Sequence, residues 1–412
     1  MTERAPHLHL LRGSRDFFPA LIRALDGARM EVRLETYIFD FHAESLSVAQ
    51  ALESAAWRGV CVYLIVDGVG TPSVPVEWLE RWKSAGVHLA VFDPVGPGAI
   101  WYPSRWRRLH RKLCVIDQEI GFCGGINILD DHYNPQTREC LTEARLDFAV
   151  QISGPCVNPL LKEMQSTWQR LEWAQKLKGT KIIESIKRLK NKNELMLNLQ
   201  KIREAFRPQP FSRRRQSALC KLVVRDNLLH RNSIANSYLK AFERAGKEIF
   251  IASAFFLPQD RMLKSLIQAA KRGVCVTLLL QGRYEFVLPY RAARQIYGKL
   301  LEAGVQIVEY QLTYLHAKVA CVDSAWSTVG SSNLDPLSLL LAREANLVIK
   351  DKTFNAKLKE QLKTAILNGG VRVDPEVYRC RGFGDRILDR VSFWLMKLAI
   401  LVSGQHYTCE PL

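Results

Sequence analysis

The sequence predicts an α/β fold of two repeated domains, each a mixed, mostly parallel sheet flanked by helices. The chain has 412 residues, too many for one ordinary hydrophobic core. Its hydrophobic fraction of 48% is enough to fill two cores and argues against disorder. Its second half repeats its first half in order, and short apolar runs alternate with helical segments of about 10 to 15 residues.

The repeat begins with an aligned helix, turn and strand. Residues 55–62, AAWRGVCV, match residues 269–276, AAKRGVCV. In each half a helix ends before a glycine and a strand follows it. The next helix of each half closes at Ala-Gly-Val, with Gly86 and Gly304 where a helix cap needs a left-handed residue.

These matches predict two domains, at residues 1–158 and 219–372. Residues 159–218 connect them as either a solvated helix or a mobile linker, and the sequence does not distinguish the two. Residues 373–412 form an amphipathic tail. Its apolar part, 391–402, is too short for a membrane span and favours an interfacial helix.

The charge balance favours an anionic partner. The formal net charge is +17, and residues 176–215, with thirteen Lys or Arg and three Glu, contribute +10 of it. An anionic membrane surface or nucleic acid would suit this excess, which by itself says nothing about chemistry.

The N-terminus and the cysteines predict an intracellular location. Residues 1–15 are polar and lack the apolar core of a signal peptide. The ten cysteines include no C-x-x-C pair and no zinc-ligand spacing. We therefore expect reduced thiols, no metal and a reducing compartment.

Two motifs carry the candidate chemistry. Their members are His110, Lys112, Asp117 and Asn127 in the first half, and His316, Lys318, Asp323 and Asn333 in the second. The His-to-Asn separation is 17 residues in both. One H-x-K match arises easily by chance on a strand, whereas two complete matches at equal spacing inside a repeat are specific.

The spacing sets which side chains point together. Residues i and i+2 of a strand share a face, so each histidine points with the lysine that follows it. Asp117 and Asp323 close the two strands, where we expect hydrogen-bond or ion-pair partners. Asn127 and Asn333 follow Gly-rich turns, where the backbone can approach a ligand closely.

The paired motifs resemble the phospholipase D superfamily, and most closely its bacterial cardiolipin synthases of the shorter type without N-terminal membrane helices. The resemblance covers roughly residues 8–158 and 219–372. Besides the motifs, it is carried by VGSSNLDPLSL at 329–339, EAN at 344–346, LETYI at 34–38 and RDN at 225–227. It implies one active site at a pseudo-twofold interface between the domains.

The resemblance also implies roles for these residues. His110 is expected to attack the phosphorus and form a phosphohistidine, while His316 protonates the leaving alkoxide and later deprotonates the incoming alcohol. The near symmetry of the two motifs leaves the reverse assignment open. Lys112 and Lys318 supply fixed positive charge and the two asparagines add neutral donors, so no metal or cofactor is needed. Among carboxylates, Glu344 is expected to orient His316, and Asp147 to orient His110.

The implied reaction is cardiolipin synthesis from two phosphatidylglycerols, with glycerol released, on the cytoplasmic face of the bacterial cell membrane. Phosphatidylethanolamine as donor, the acceptor and the oligomeric state stay open. One alternative is a lipid hydrolase, nuclease or DNA phosphodiesterase that uses the same eight residues, although nucleic acid is the disfavoured partner. Another is a non-catalytic protein that binds anionic membranes.

Two loops could contact a substrate. Residues 94–108 combine three aromatic and three basic side chains, Trp101, Tyr102, Arg105, Trp106, Arg107 and Arg108. They either contact lipid or a phosphate backbone, or pack on their own domain. Residues 284–290, YEFVLPY, either line an acyl groove or form ordinary core.

Overall fold

The structure is a computed structural model that describes residues 7–94, 107–134, 139–179, 219–227, 229–283 and 286–402. Each half of the chain forms one large sheet with helices packed on it, which confirms the predicted fold class.

The first half contains a seven-stranded sheet of order β1-β9-β6-β5-β2-β3-β4, with β7 and β8 forming a small separate ribbon. Its elements are β1 (Leu8–Arg12), α1 (Gly13–Asp26), β2 (Glu31–Thr36), α2 (Ala43–Trp57), β3 (Cys61–Asp67), α3 (Val76–Ala85), β4 (His88–Phe92), β5 (Lys112–Ile116), β6 (Ile120–Gly124), β7 (Tyr133–Asn134), β8 (Glu139–Cys140), β9 (Phe148–Ser153) and α4 (Val157–Gly179).

The second half contains an eight-stranded sheet of order β10-β16-β15-β14-β11-β12-β13-β17. Its elements are β10 (Cys220–Arg225), α5 (Ser233–Arg244), β11 (Glu248–Ser253), α6 (Asp260–Lys271), β12 (Cys275–Gln281), α7 (Val287–Arg294), α8 (Tyr297–Glu302), β13 (Gln306–Tyr310), β14 (Lys318–Val322), β15 (Trp326–Gly330), β16 (Glu344–Ile349), α9 (Lys352–Gly369), β17 (Gly370–Arg372), α10 (Pro375–Arg379) and α11 (Phe383–Val402).

Both sheets are mixed, as expected, but antiparallel pairs outnumber parallel ones in each, so the expectation of mostly parallel pairing is wrong. Parallel pairing is confined to the strands that helices connect. These are β2, β3 and β4 in one sheet and β11, β12 and β13 in the other. The motif strand β5 pairs antiparallel with both neighbours, and so does β14. A tight turn joins each motif strand to the next strand, and such a connection is too short for a parallel crossover.

The two sheets share one hydrophobic core. A single buried cluster contains Leu113, Phe148 and Val150 from the first half with Leu222, Val319 and Leu347 from the second. The other face of each sheet is covered by helices of its own half, in two further clusters. This packing places the motif strands of both halves next to the seam between them.

Two glycines close helices as the sequence predicts. Gly86 follows α3 with φ of 91°, and Gly304 follows α8 with φ of 86°. Because a side chain is strained at such angles, glycine allows the chain to turn sharply into β4 and β13.

The connecting segment and the tail are partly described. The helix α4 extends into the predicted linker, whose residues 180–218 lie outside the described residues. The domain boundaries stay a prediction. No helix within the described ranges has both the length and the apolar character needed to cross a bilayer.

Candidate active site

Each motif histidine is anchored by its backbone to the opposite half of the molecule. The N–H of His110 donates to the carbonyl of Arg343 at 3.0 Å, and the N–H of His316 donates to the carbonyl of Leu146 at 2.8 Å. Parallel bridges accompany these bonds, between Leu109 and Arg343 and between Leu146 and Leu315. The same short parallel contact therefore occurs twice across the seam.

Each imidazole is held by a carboxylate from the other half. His110 Nδ1 lies 2.9 Å from Glu344 Oε1, and His316 Nδ1 lies 2.6 Å from Asp147 Oδ2. The expected pairing of Glu344 with His316 and Asp147 with His110 is therefore wrong. Glu344 directly follows Arg343, and Asp147 directly follows Leu146. Because Arg343 and Leu146 pair with the opposite half, each carboxylate lies beside the histidine of that half.

These contacts leave one nitrogen of each ring for chemistry. The side chains of His110 and His316 are each 17% exposed, whereas the carboxylates behind them are buried. With Nδ1 occupied by a carboxylate, Nε2 is the nitrogen that remains for a substrate atom.

The two imidazoles and the two lysines share one electrostatic environment. Burial lowers the pKa of His110 first, and Lys112 and Lys318 lower it further against the opposing effect of Glu344. Burial also lowers the pKa of His316 well below its usual value, assisted by both lysines and by His110. Each histidine thus responds to charges of the other half, which supports a single joint pocket.

The lysines are buried beside the histidines that precede them. Lys112 Nζ donates to the carbonyl of His110 at 2.7 Å, and Lys318 donates in the same way to the carbonyl of His316. Burial and then the charge of Lys318 lower the pKa of Lys112 to about 7. Because two nearby ammonium groups destabilise each other, an anion between them would be bound strongly.

The motif asparagines are also buried. Asn127 Oδ1 accepts from the N–H of Ile38 at 3.2 Å, so its amide nitrogen is left to donate. Asn333 is 3% exposed, and its Oδ1 has no hydrogen-bond partner within the described ranges. A buried polar group of this kind suits a site that binds a polar ligand.

The motif aspartates lie away from the imidazoles, at the opposite ends of β5 and β14. Asp117 accepts from three successive N–H groups, those of Arg29, Met30 and Glu31, at 2.8 to 2.9 Å. Asp323 does the same with Gly246, Lys247 and Glu248, at 2.8 to 3.0 Å. Both hold the start of the neighbouring strand, which supports the expected structural role.

Ser331 is a site residue to which sequence reasoning gave no role. Its hydroxyl donates to Glu344 Oε2, and its counterpart in the first motif is Gly125. A Cβ at Gly125 would lie 2.3 Å from Asp147 Oδ1, so that carboxylate packs directly on the glycine backbone. In the sequence, this difference is visible as Gly124-Gly125 in the first motif and Gly330-Ser331 in the second.

The two carboxylates consequently differ in acidity. Burial acts to raise the pKa of Glu344, but His110, Lys112 and the hydroxyl of Ser331 outweigh it and hold the pKa below its usual value. Burial raises the pKa of Asp147 to about 7. The contacts of Glu344 therefore favour its anion, whereas burial disfavours the anion of Asp147.

A matched pair of side chains positions the residue before each histidine. Asp67 accepts from the N–H of Leu109 at 2.8 Å, and Gln281 accepts from the N–H of Leu315 at 2.8 Å. The repeat aligns Asp67-Gly68 with Gln281-Gly282, but the sequence pattern does not indicate which groups these side chains bind.

A further contact distinguishes the first half-site. The ring of Tyr37 meets the His110 ring edge-on with centroids 5.0 Å apart, and Lys112 Nζ lies 5.4 Å from its centre. The counterpart of Tyr37 in the second half is Ala254, which lines an apolar pocket. The tyrosine stands in the LETYI stretch that carries the family resemblance.

The candidate substrate loops are described only in part. Residues 95–106, with Trp101, Tyr102, Arg105 and Trp106, lie outside the described residues. Arg108 pairs with Asp67 at 2.7 Å and with Asp93 at 3.0 Å, so it packs on its own domain. In the second loop Tyr284 also lies outside the described residues, while Phe286, Pro289 and Tyr290 line the apolar pocket beside Ala254.

Comparison with known sequences agrees with this geometry. The profile of the family described as "Cardiolipin synthase, PLD-like domain" matches residues 21–153 and 238–366, one segment in each half. Cardiolipin synthase B of Salmonella typhi is 33% identical over 407 residues, covering 96% of this chain and 86% of that protein. Cardiolipin synthase B of Escherichia coli K12 is 34% identical over 398 residues, with the same two coverages.

Solved structures share the fold. The phosphatidylserine synthase of Haemophilus influenzae superposes with a TM-score of 0.65 over 96% of this chain and 94% of its own, at 13% identity. The polyphosphate kinase of Porphyromonas gingivalis gives 0.52 over 87% of this chain and 50% of its own, at 14% identity. At these identities the likeness concerns the fold alone.

Proposed function

Because the chain belongs to the cardiolipin synthase family of phospholipase-D-like enzymes, we propose that it joins two phosphatidylglycerol molecules into cardiolipin and glycerol through a phosphohistidine. The observation that carries this proposal is the pair of imidazoles at the seam, each oriented by a carboxylate of the opposite half. Membership of the family supports phosphatidyl transfer, and the paired imidazoles support our proposal of a two-step route.

In the first step His110 Nε2 attacks the phosphorus of a phosphatidylglycerol. A P–N bond forms, the P–O bond to the glycerol headgroup breaks, and His316 gives its proton to the departing oxygen. The phosphorylated imidazole keeps its proton on Nδ1, where the anionic Glu344 stabilises the positive charge of the ring. This is our reason to assign the nucleophile to His110.

In the second step His316 removes a proton from the hydroxyl of another phosphatidylglycerol. The oxygen attacks the phosphohistidine, the P–N bond breaks, and cardiolipin leaves with His110 restored. In both steps the ammonium groups of Lys112 and Lys318 face the added negative charge of the five-coordinate phosphorus, and Asn127 and Asn333 border the same pocket.

The protonation states fit this sequence. A lowered pKa leaves His110 neutral, as a nucleophile must be. His316 needs a proton to act as an acid, although its pKa is held low mainly by burial and then by both lysines. A bound phosphodiester anion neutralises part of the lysine charge, which raises the pKa of His316 and allows it to carry that proton.

The substrate implies where the protein acts. Phosphatidylglycerol resides in the membrane, so we place the protein peripherally on the cytoplasmic face of the bacterial cell membrane. A small apolar pocket lined by Phe255, Phe286 and Tyr290 lies beside Ala254, and an apolar border of this kind would help to keep out water, which would otherwise turn transfer into hydrolysis. Phosphatidylethanolamine as a donor would use the same site.

Lipid product analysis tests the overall reaction. Purified protein is incubated with phosphatidylglycerol in mixed micelles, and products are separated by thin-layer chromatography. We expect cardiolipin from the wild type and from His9→Ala, whose side chain is exposed on the edge strand β1, and none from His110→Ala. Phosphatidic acid alone would indicate a hydrolase, and cleavage of DNA without a lipid product would indicate a nuclease.

An activated substrate tests the roles of the histidines. A phosphatidyl ester of p-nitrophenol needs no acid because its phenolate leaves unaided. We expect His316→Ala to release one equivalent of phenolate and retain a phosphatidyl group on His110, detectable by peptide mass spectrometry, and His110→Ala to release none. A burst in His110→Ala with an adduct on His316 would exchange the two roles.

A further inference from the structure

The C-terminal helix α11 has two opposite apolar faces. Phe393, Met396 and Ile400 are buried against the helical core of the second half. The opposite face is exposed to solvent and consists of large apolar side chains, Phe383, Ile387, Leu388, Val391, Trp394, Leu395, Leu398, Leu401 and Val402. A surface helix usually has a polar outer face, so this one is apolar on the side where water is expected.

This exposed stripe is unusual within the molecule. Of the 24 large apolar side chains exposed in the described ranges, nine lie on this one helix of 20 residues. Apolar patches on soluble proteins are usually small, and a contiguous one marks a surface that binds something apolar. We call these nine side chains the docking face.

The docking face is presented by a fixed helix. Asp389 is fully buried and accepts from Arg381 at 2.6 Å and Arg291 at 3.3 Å. Asp385 pairs with Arg291 at 2.7 Å. These ion pairs attach α11 to α7, so the stripe does not belong to a fraying tail.

Basic side chains border the docking face along one edge. Arg386, Arg390 and Lys397 follow one another at helical spacing between the buried and the exposed faces. A solvent-open pocket next to this edge is lined by Arg379, Arg381, Arg386 and Arg390, with Glu302 as its acidic member. An apolar stripe with an arginine rim is complementary to acyl chains beneath anionic headgroups.

The docking face continues towards the candidate active site. The helix α7, on which α11 packs, begins with Val287 and Leu288, which are exposed like the preceding Phe286. Phe286 also lines the apolar pocket that reaches Gln281, whose side chain holds the residue before His316. A lipid surface on α11 would therefore adjoin this apolar border of the candidate active site.

We propose that the docking face of α11 inserts into the interfacial layer of an anionic bilayer, with the arginine rim on lipid phosphates. A 20-residue helix is about 30 Å long, and α11 would lie in the membrane plane because its fixed packing keeps one face on the protein. The proposal rests on the proposed function for its choice of a lipid partner over a second copy of the chain.

Vesicle flotation tests this docking. Purified protein is mixed with vesicles of phosphatidylcholine, with or without phosphatidylglycerol, and the floating fraction is measured. We expect Leu395→Glu/Leu398→Glu to weaken binding about 100-fold, because two side chains can no longer enter the apolar layer. The matched control is Leu367→Glu, which changes a leucine that is 84% exposed on α9 and should bind like the wild type.

The arginine rim has its own expected effect. Arg386→Ala/Arg390→Ala should reduce the preference for phosphatidylglycerol vesicles about tenfold and leave weak binding to phosphatidylcholine unchanged. Circular dichroism confirms folding, and the milder Leu395→Ser/Leu398→Ser replaces the glutamate variant if that variant fails to fold. Unchanged flotation of a folded docking-face variant overturns the proposal. Loss of dimerisation with unchanged flotation would assign the face to a second copy of the chain.

Docking and catalysis are separable in these measurements. Flotation of His110→Ala requires no turnover, and cardiolipin formation in mixed micelles requires no vesicle. Binding through α11 without any cardiolipin product would contradict only the proposed function. If the wild type forms cardiolipin and the docking-face variants float as it does, only the docking proposal is contradicted.

Discussion

The two half-sites share a backbone framework and differ in the side chains around the imidazole. In both, a parallel bridge crosses the seam, a histidine binds a carboxylate of the other half, and a lysine binds the histidine carbonyl. The side chains around His110 are Glu344, Ser331 and Tyr37, whereas Asp147, Gly125 and Ala254 occupy the corresponding places around His316.

The same backbone framework positions both histidines, but the side chains around them suit two different chemical tasks. Glu344 is held as an anion by its contacts, which suits the support of a phosphorylated ring. Burial raises the pKa of Asp147 to about 7, which suits a pair that gains and loses protons in each cycle. Symmetry therefore brings the candidate reacting groups together, and the departures from symmetry are our basis for proposing different roles for the two histidines.

The largest expected effect comes from neutralising the carboxylates. Glu344→Gln and Asp147→Asn should each lower kcat with phosphatidylglycerol about 10³- to 10⁴-fold, because an amide holds the wrong tautomer of the ring. With the p-nitrophenyl ester, Asp147→Asn should retain its burst and Glu344→Gln should lose it. Equal bursts would show that the half-sites are functionally equivalent.

The next effect concerns Gly125. Gly125→Ala should lower kcat about 100-fold, because its Cβ would meet Asp147 Oδ1 at 2.3 Å and displace the partner of His316. Ser331→Ala at the matching position adds no atom and is the control for bulk. The kcat of both variants is measured by steady-state kinetics. A larger loss of kcat in Ser331→Ala than in Gly125→Ala would contradict this prediction.

A smaller effect with a definite sign concerns Ser331. The hydroxyl helps to hold the pKa of Glu344 low, so its loss in Ser331→Ala raises that pKa. The acid limb of kcat should move to higher pH, and kcat at neutral pH should fall about tenfold. Ser332→Ala, another buried serine of the same turn, should leave the pH profile where it is.

The smallest effect concerns the strand-end aspartates, where the halves are alike. Asp117→Asn and Asp323→Asn should each reduce the free energy of unfolding by about 1 kcal/mol, because a charged acceptor of three N–H groups becomes neutral. Asparagine still tolerates the φ of 50° and 51° at these positions. Urea unfolding and kcat are measured together, and kcat should be unchanged.

The acid dependence of this stabilisation has a defined direction. Burial opposes it, but backbone N–H groups lower the folded-state pKa of Asp117 and Asp323. Their contribution is therefore complete above the unfolded pKa of about 3.9 and is lost as pH falls through the lower folded value. The asparagine variants should show a flatter loss of stability in acid, and an unchanged acid limb would contradict this assignment.

The residue pattern predicts much of this architecture. The repeat, the glycines after α3 and α8, and two H-x-K motifs at equal spacing predict the two sheets and the strands that carry the histidines. These features are local, because helix caps and strand alternation depend on neighbouring residues. The fold class follows from them, and the resemblance that the motifs carry indicates the family and the enzyme chemistry that it implies.

The contacts between side chains of the two halves cannot be predicted from such local features. The family resemblance was taken to pair each carboxylate with the histidine of its own half, Glu344 with His316 and Asp147 with His110, and both assignments are reversed in space. Nothing local states which histidine a carboxylate will meet, because that depends on how two sheets pack face to face. The contacts of Ser331 with Glu344 and of Tyr37 with His110 each lie within one half, but they too join segments that are not neighbours in the sequence.

The sequence alone therefore determines which groups exist and which strand or turn presents each of them, because local periodicity and spacing encode that placement. Tertiary packing decides which of these groups touch, how acidic each becomes and which apolar face of α11 packs on the rest of the described protein. The physical reason is that contact, burial and electrostatic coupling arise between segments far apart in the chain, after the two halves have closed on each other.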